Sequence, residues 1–279
     1  MSIGELRHRY HADICRQILA APSGVPNIAD ASNKTSVEIA RGIVKRLGCP
    51  LCEQAPPAQR AGAVFEELTS RFLEDAFGLL VHLRPGKWLF EVNRDITSFD
   101  QYAHLARLQD ILASNSELAA ALGSDYVVTP DIVIGRYPVP DAEINCNRTV
   151  VGEGDPYCRL SPLREKNSSR VLLHASISCK WTIRSDRAQN IRTEALNLIR
   201  TRKGHVPHAV AVTAEPLPTR LASLALGTGD LDCVYHFALV ELQEAVREVD
   251  NDDQLEMLTA MVDGRRLRDI SDLALDLAM

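Results

Sequence analysis

The apolar period of the chain changes partway along, and this change limits its possible folds more than any other feature. Up to residue 122, apolar residues recur at steps of three and four, the spacing of helices with one buried face. Residues 3–20 follow that period, and residues 37–47 follow it after the cap-like Ser32-Asn33, with Gly48 as a stop. After the Pro56-Pro57 break, Phe65, Leu68, Phe72, Ala76 and Leu79 mark a long amphipathic helix over residues 61–80. Residues 101–122 predict another helix.

Beyond that point strands and helices alternate. Residues 126–134 are β-rich, with Pro130 forcing an extended or bulged entry to Asp131. Residues 135–170, rich in Pro, Gly, Asn and Ser, predict a long surface excursion. Strands are expected at 171–181, 209–214 and 232–237, and helices at 186–202, closed by Gly204, and at 239–261. A Pro-flanked turn and a short helix follow the strand at 209–214. The pattern predicts a mixed α/β fold, a small sheet flanked by helices. No long linker interrupts the chain, so one domain over 1–279 is expected, with a helical N-terminal part (1–122) and a core (123–279).

Composition bounds the function. With 46% hydrophobic and 24% charged residues, the chain can bury a sizeable core and is not disordered over most of its length. No run approaches the ~18 apolar residues of a membrane span, and the N-terminus lacks an apolar signal segment, so a cytoplasmic location is expected. Seven cysteines, an odd number, predict free thiols in a reducing compartment. Cys49-Pro-Leu-Cys52 has no second pair to complete a zinc site, so a loop with two thiols is the simpler account.

A net charge of −6 argues against a nucleic-acid partner. Its distribution argues otherwise. Between Lys180 and Lys203, seven cations face only Asp186 and Glu194. Such a stripe can track phosphates, or it can be a solvated basic helix face.

The strand at 171–181 places His174, Ser176, Ser178 and Lys180 on one face and Ile177 and Cys179 on the other. If it pairs with the strand after Pro130, Asp131 and Lys180 can project toward a common point. An acid and an amine there suit metal-assisted phosphodiester hydrolysis. The carboxylate holds Mg²⁺, which takes few protein ligands and keeps waters and substrate oxygens. The lysine orients water and offsets charge on the phosphorane. The Cys179 carbonyl is a second candidate ligand. Glu66, or its neighbour Glu67, could reach the metal through water, and Glu194 flanks the apolar stripe of the 186–202 helix. Each glutamate has a plainer account as a solvated helix residue, and Asp131 and Lys180 have one as a bulge aspartate and a surface lysine. Arg184-Ser-Asp186-Arg187 follows at the helix start. Arginine donates to guanine O6 and N7, and aspartate accepts from the cytosine amino group. A capping aspartate between ion-paired arginines is the alternative.

The stretch from Ser178 through Lys180, Arg184, Asp186 and Arg187 to Asn190 resembles type II restriction endonucleases of the NgoMIV kind. The resemblance covers most of the chain. It includes Ala29-Asp30-Ala-Ser32-Asn33, Phe65-Glu66, Gln101 to Leu105, Leu118 to Asp125, Thr129-Pro-Asp131-Ile, Val212 to Pro216, Ala225 to Gly229 and Asp269 to Leu273. It implies the PD-(D/E)xK restriction-endonuclease-like fold, with Asp131 and Lys180 as the catalytic pair. Ser178 then stands where an acid is usual, Glu194 supplies the missing carboxylate, and Glu66 acts through metal-bound water. Asp131, Cys179 and Glu66 form the metal side of the site, with two Mg²⁺ per active site. Arg184, Asp186 and Arg187 would read an inner CCGG, Asp30 and Arg220 the outer G·C pair, and Gln59 and Ser32 the minor groove. The implied target is double-stranded DNA at GCCGGC, cut after the first G to leave a 5′ overhang, by a homotetramer built as a dimer of dimers. Residues 91–100 are fewer than in the family, and residues 146–170 and the Cys49/Cys52 pair diverge. A related nuclease of other specificity, or a DNA-binding protein without catalysis, is the alternative. The intact R-S-D-R argues against the first, and the presence of Asp131, Lys180 and Glu66 against the second. A metabolic enzyme finds no support, because G-x-G-x-x-G and phosphate-binding loops are lacking.

Overall fold

The computed structural model describes residues 1–122, 127–183, 185–227 and 229–279, and of residues 119, 121–122 and 185–188 the backbone alone. In chain order the first elements are α1 (Ile3–Gln17), α2 (Lys34–Leu47), α3 (Ala58–Leu79), β1 (Trp88–Val92), α4 (Ala103–Ala113), α5 (Ser116–Leu122), β2 (Ile132–Arg136) and α6 (Asp141–Ile144). There follow β3 (Leu172–Lys180), α7 (Ser185–Thr201), β4 (His208–Thr213), α8 (Pro218–Ala225), β5 (Cys233–His236), α9 (Leu239–Glu248), α10 (Asp252–Asp263), β6 (Leu267–Asp269) and α11 (Ile270–Asp276). The strands form one mixed sheet in the order β1-β2-β3-β4-β5-β6. β1 and β2 are antiparallel, and β4, β5 and β6 are mutually parallel. This is the expected α/β class.

The chain divides into two compact units. One holds residues 1–84, 177–195 and 208–279, and the other 85–176 and 196–207. In the first unit, local chemistry explains the helix ends. Ser2 and Glu5 form a capping box on α1. Asn33 accepts from the Ser36 amide at 3.0 Å to start α2, and Gly48 ends it in the left-handed region at φ 63°. The α3 stripe buries Phe65, Leu68, Phe72 and Ala76, as its period predicts. α3 packs on α1, where the Tyr10 hydroxyl meets Thr69 Oγ1 at 2.9 Å. α2 crosses α9 so closely that a Cβ at Gly42 would lie 2.6 Å from that of Ala245. Helices α8 to α11 pack on β5 and β6.

In the second unit, Phe99, Tyr102, Val133 and Leu173 centre the core. Buried Gln101 bonds both backbone groups of Leu173, donating at 2.7 Å and accepting at 2.9 Å. The 135–170 excursion contains α6 and is pinned by Arg164, whose Nη2 donates to Asp141 Oδ2 at 2.6 Å.

Three expectations are corrected, and one strand is new. The 239–261 helix is two helices, because Val249 and Asn251 are extended and Asn251 caps α10 by accepting from Gln254 N at 3.2 Å. The 101–122 helix likewise breaks at Ser114-Asn115, where Asn115 accepts from Leu118 N at 3.0 Å. Of the strand expected over 126–134, residue 126 lies outside the described residues; among residues 127–134 the strand begins only at Ile132 and runs to Arg136, and Asp131 precedes it. Strand β1 is unexpected: it is five residues at a sheet edge, half-buried without alternation.

Candidate active site and DNA-reading groove

The end of β3, α3 and α7 build one cavity of the first unit. Residues 172–179 of β3 are all buried, and Lys180 is the first to emerge. Ala214 N donates to the Lys180 carbonyl at 3.3 Å, which ties this end to the exit of β4. Trp181 then turns inward. Its ring meets Phe65 of α3 edge to face, with centroids 5.2 Å apart. With Phe65 held in the core, the neighbouring face of α3 carries Gln59, Gly62 and Glu66 at steps of three and four. On α7, buried Ile191 and Ala195 leave Asn190 and Glu194, one turn apart, on the flank. Gln59, Glu66, Cys179, Lys180, Thr182 and Glu194 thus line a single cavity of about 510 Å³.

A second groove of the same unit, about 390 Å³, lies between the turn at residues 28–31, residues 182–183 and Arg220. Thr182 lines both, so the two adjoin. Asp30 is its acidic element. It accepts from the Ser32 hydroxyl at 2.6 Å and the Ser32 amide at 3.0 Å, and it pairs with Arg220 Nη2. Those two bonds from Ser32 and the arginine hold its carboxyl down to about 2, so it is ionised at neutral pH.

The structure therefore brings together Gln59, Glu66, Cys179, Lys180 and Glu194 in one place, and Asp30, Ser32 and Arg220 in another. Ser178 lies inside buried β3 and is not among the described residues lining the cavity. Asp131 stands half-buried before β2 in the second unit, its carbonyl accepting from Asn93 N at 3.0 Å. Arg184 and the side chains of Asp186 and Arg187 lie outside the described residues. Sequence reasoning did not single out Thr182, Asn190 or Glu215 as site residues. Only Glu215 carried a signal, an acid inside the apolar run 209–217.

Among the described residues no group of three or more His, Cys, Asp and Glu could by itself hold a metal ion. The donor set is nevertheless that of a hard cation. Glu66 and Glu194 offer carboxylates from two helices, and Mg²⁺ needs only one or two, its remaining positions being taken by water and phosphate oxygens.

A family model described as the NgoMIV restriction enzyme matches residues 10–279. The chain belongs to this family. The type II restriction enzyme NgoMIV of Neisseria gonorrhoeae is 51% identical to it over 261 residues, which covers 92% of this chain and 91% of that enzyme. Within the NgoMIV family, then, this chain presents a lysine with two glutamates beside a groove walled by an aspartate–arginine pair. Among the described residues no helix is long and apolar enough to cross a membrane.

Proposed function

We infer that this protein is a type II restriction endonuclease that hydrolyses double-stranded DNA at GCCGGC, cutting after the first G to leave a 5′ overhang. It is a site-specific deoxyribonuclease of the NgoMIV family, and enzymes of this type generally use a divalent metal. The observation that carries the reading is the adjacency of the Glu66–Lys180–Glu194 cavity to the Asp30–Arg220 groove on a chain of that family.

The residues divide the work as follows. Asp131, Glu66 and the Cys179 carbonyl are the residues that would hold two Mg²⁺, and Glu194 would add the carboxylate that Ser178 cannot supply. A divalent metal bound there would supply polarisation of the phosphate and offset of its charge. Lys180 orients the attacking water and stabilises charge that builds on the phosphate in the transition state. Arg184, Asp186 and Arg187 read the inner CCGG in the major groove, Asp30 and Arg220 the outer G·C pair, and Gln59 and Ser32 the minor groove. One restriction-endonuclease domain spans 1–279, and it acts in the cytoplasm as a homotetramer, a dimer of dimers. Asp131 and the tetramer are carried here by the family resemblance, and Gln59 and Ser32 also by their place beside the two cavities.

Digestion of plasmids with and without GCCGGC, followed by sequencing of the ends, tests the reading. It predicts ends only at GCCGGC, with a 5′-CCGG overhang. Scattered ends, or a different repeated site, would overturn the specificity.

A further inference from the structure

Glu215 is fully buried, and the proposed chemistry does not use it. It stands just past β4, where Thr213 Oγ1 accepts its amide at 3.1 Å. Its two carboxylate oxygens serve different elements. Oε2 accepts from Ile183 N at 3.0 Å, and Oε1 accepts from Leu217 N at 3.2 Å, at the start of α8. Arg220 Nη1 lies 3.9 Å from Oε2, an ion-pair distance, while Nη2 of the same guanidinium pairs with Asp30.

Arg220 is thus gripped on its buried side by Glu215 and on its groove side by Asp30. Ile183, the residue before Arg184, is gripped by the same carboxylate. A buried acid is costly unless its partners compensate, and here the partners belong to the two segments that wall the groove. We propose that Glu215 is a positioning residue for DNA discrimination. It fixes Arg220 and Ile183 against one another, so that the arginine reaches the outer base pair in a single pose. The inference rests on the assignment of Asp30 and Arg220 to that pair. Arginine is long and flexible, and an unheld guanidinium finds phosphates as readily as a base edge; pre-organisation is what converts its charge into discrimination.

The test uses the full chain and duplexes carrying the site that the wild type cuts, the site with its outer pair exchanged, and the site with an inner pair exchanged. Affinities are measured in Ca²⁺ and kcat/KM in Mg²⁺, with thermal unfolding as the control for folding. Glu215→Gln, compared with the wild type above about pH 7 where Glu215 is ionised, keeps the side-chain volume but loses the charge and one acceptor oxygen. It is expected to lower the preference for the correct outer pair about tenfold, a step worth one weakened base contact, and to change inner-pair preference less. Glu215→Asp keeps the charge with shorter reach and should restore part of the preference. Wild-type preference in Glu215→Gln, or an equal loss on all three duplexes, would overturn the inference. If Glu215→Gln does not fold, full wild-type preference in Glu215→Asp overturns it. If the wild type itself ignores the outer pair, the assignment of Asp30 and Arg220 fails instead.

Discussion

Phe65 and Trp181 meet edge to face with ring centroids 5.2 Å apart, and each is the immediate neighbour of a proposed catalytic residue. Glu66 follows the first and Lys180 precedes the second. The contact joins α3 to the segment leaving β3 and so sets where both side chains enter the cavity. Phe65→Leu leaves a void beside Trp181 and is expected to cost about 1–2 kcal/mol, below the ~3–5 kcal/mol of a full Phe→Ala truncation. It should also lower kcat more than it raises KM, because a misplaced Glu66 or Lys180 weakens the transition state rather than DNA binding. Denaturant unfolding and single-turnover cleavage check the two parts.

The Asp30–Arg220 pair bridges 190 residues of sequence. Arg220→Ala removes the donor proposed to read the outer pair and should cost about 1–3 kcal/mol against the correct outer pair. Competition between duplexes differing only at that pair measures it. A mutant that weakens all duplexes equally would mark Arg220 as a phosphate contact.

Arg7 donates to Glu241 Oε1 at 2.9 Å and to Asp269 Oδ1 at 2.8 Å, with side chains 9–15% exposed. Breaking such a buried group by Arg7→Met should cost about 3–5 kcal/mol, because two carboxylates lose their cation. Burial opposes ionisation of Asp269 and Glu241, but the Arg7 guanidinium outweighs it, and both lie below their ordinary values of 3.8 and 4.5. Their contribution is therefore complete above those unfolded values and is lost as pH falls through the lower folded ones. Acid unfolding should shift to higher pH in the mutant.

Glu215 behaves oppositely. Burial pushes its carboxyl up to about 7 from 4.5, even though the Ile183 and Leu217 amides and Arg220 favour the ion and Asp30 opposes it. His236, pushed down to about 4, is neutral over this range. Between pH 4.5 and about 7 the folded state keeps a proton that the unfolded chain has released, so stability falls as pH rises through that window. The shift corresponds to roughly 3 kcal/mol at most. Glu215→Gln should flatten that segment of the stability–pH profile in calorimetry.

Local chemistry made much of this fold legible in the sequence. Asn33 and Gly48 bracket α2 because a cap and a left-handed glycine act within one turn. The Phe65–Ala76 stripe shows because a half-buried helix must repeat its apolar face. Strand β1 stayed hidden because a short edge strand need not alternate. The split between α9 and α10 was masked because Val249 and the acids after Asn251 continue a helical period while Asn251 breaks it. In the site, Glu66, Lys180 and Glu194 could be named from helix and strand faces. The Asp30–Arg220 pair needed a family resemblance, since nothing local links residues 190 apart. Glu215 was missed as a site residue because one acid in an apolar run signals burial but does not say which partners it will meet.

DNA is proposed to be cut in the cavity that holds Lys180. Single-turnover cleavage of a GCCGGC duplex by wild type, Lys180→Met and Asp131→Asn, at saturating enzyme in Mg²⁺ and with affinities measured in Ca²⁺, tests it directly. Both substitutions are expected to slow cleavage by about a thousandfold or more, a barrier increase of at least ~4 kcal/mol, while binding stays within a few-fold of wild type. Cleavage by Lys180→Met at the wild-type rate would contradict it.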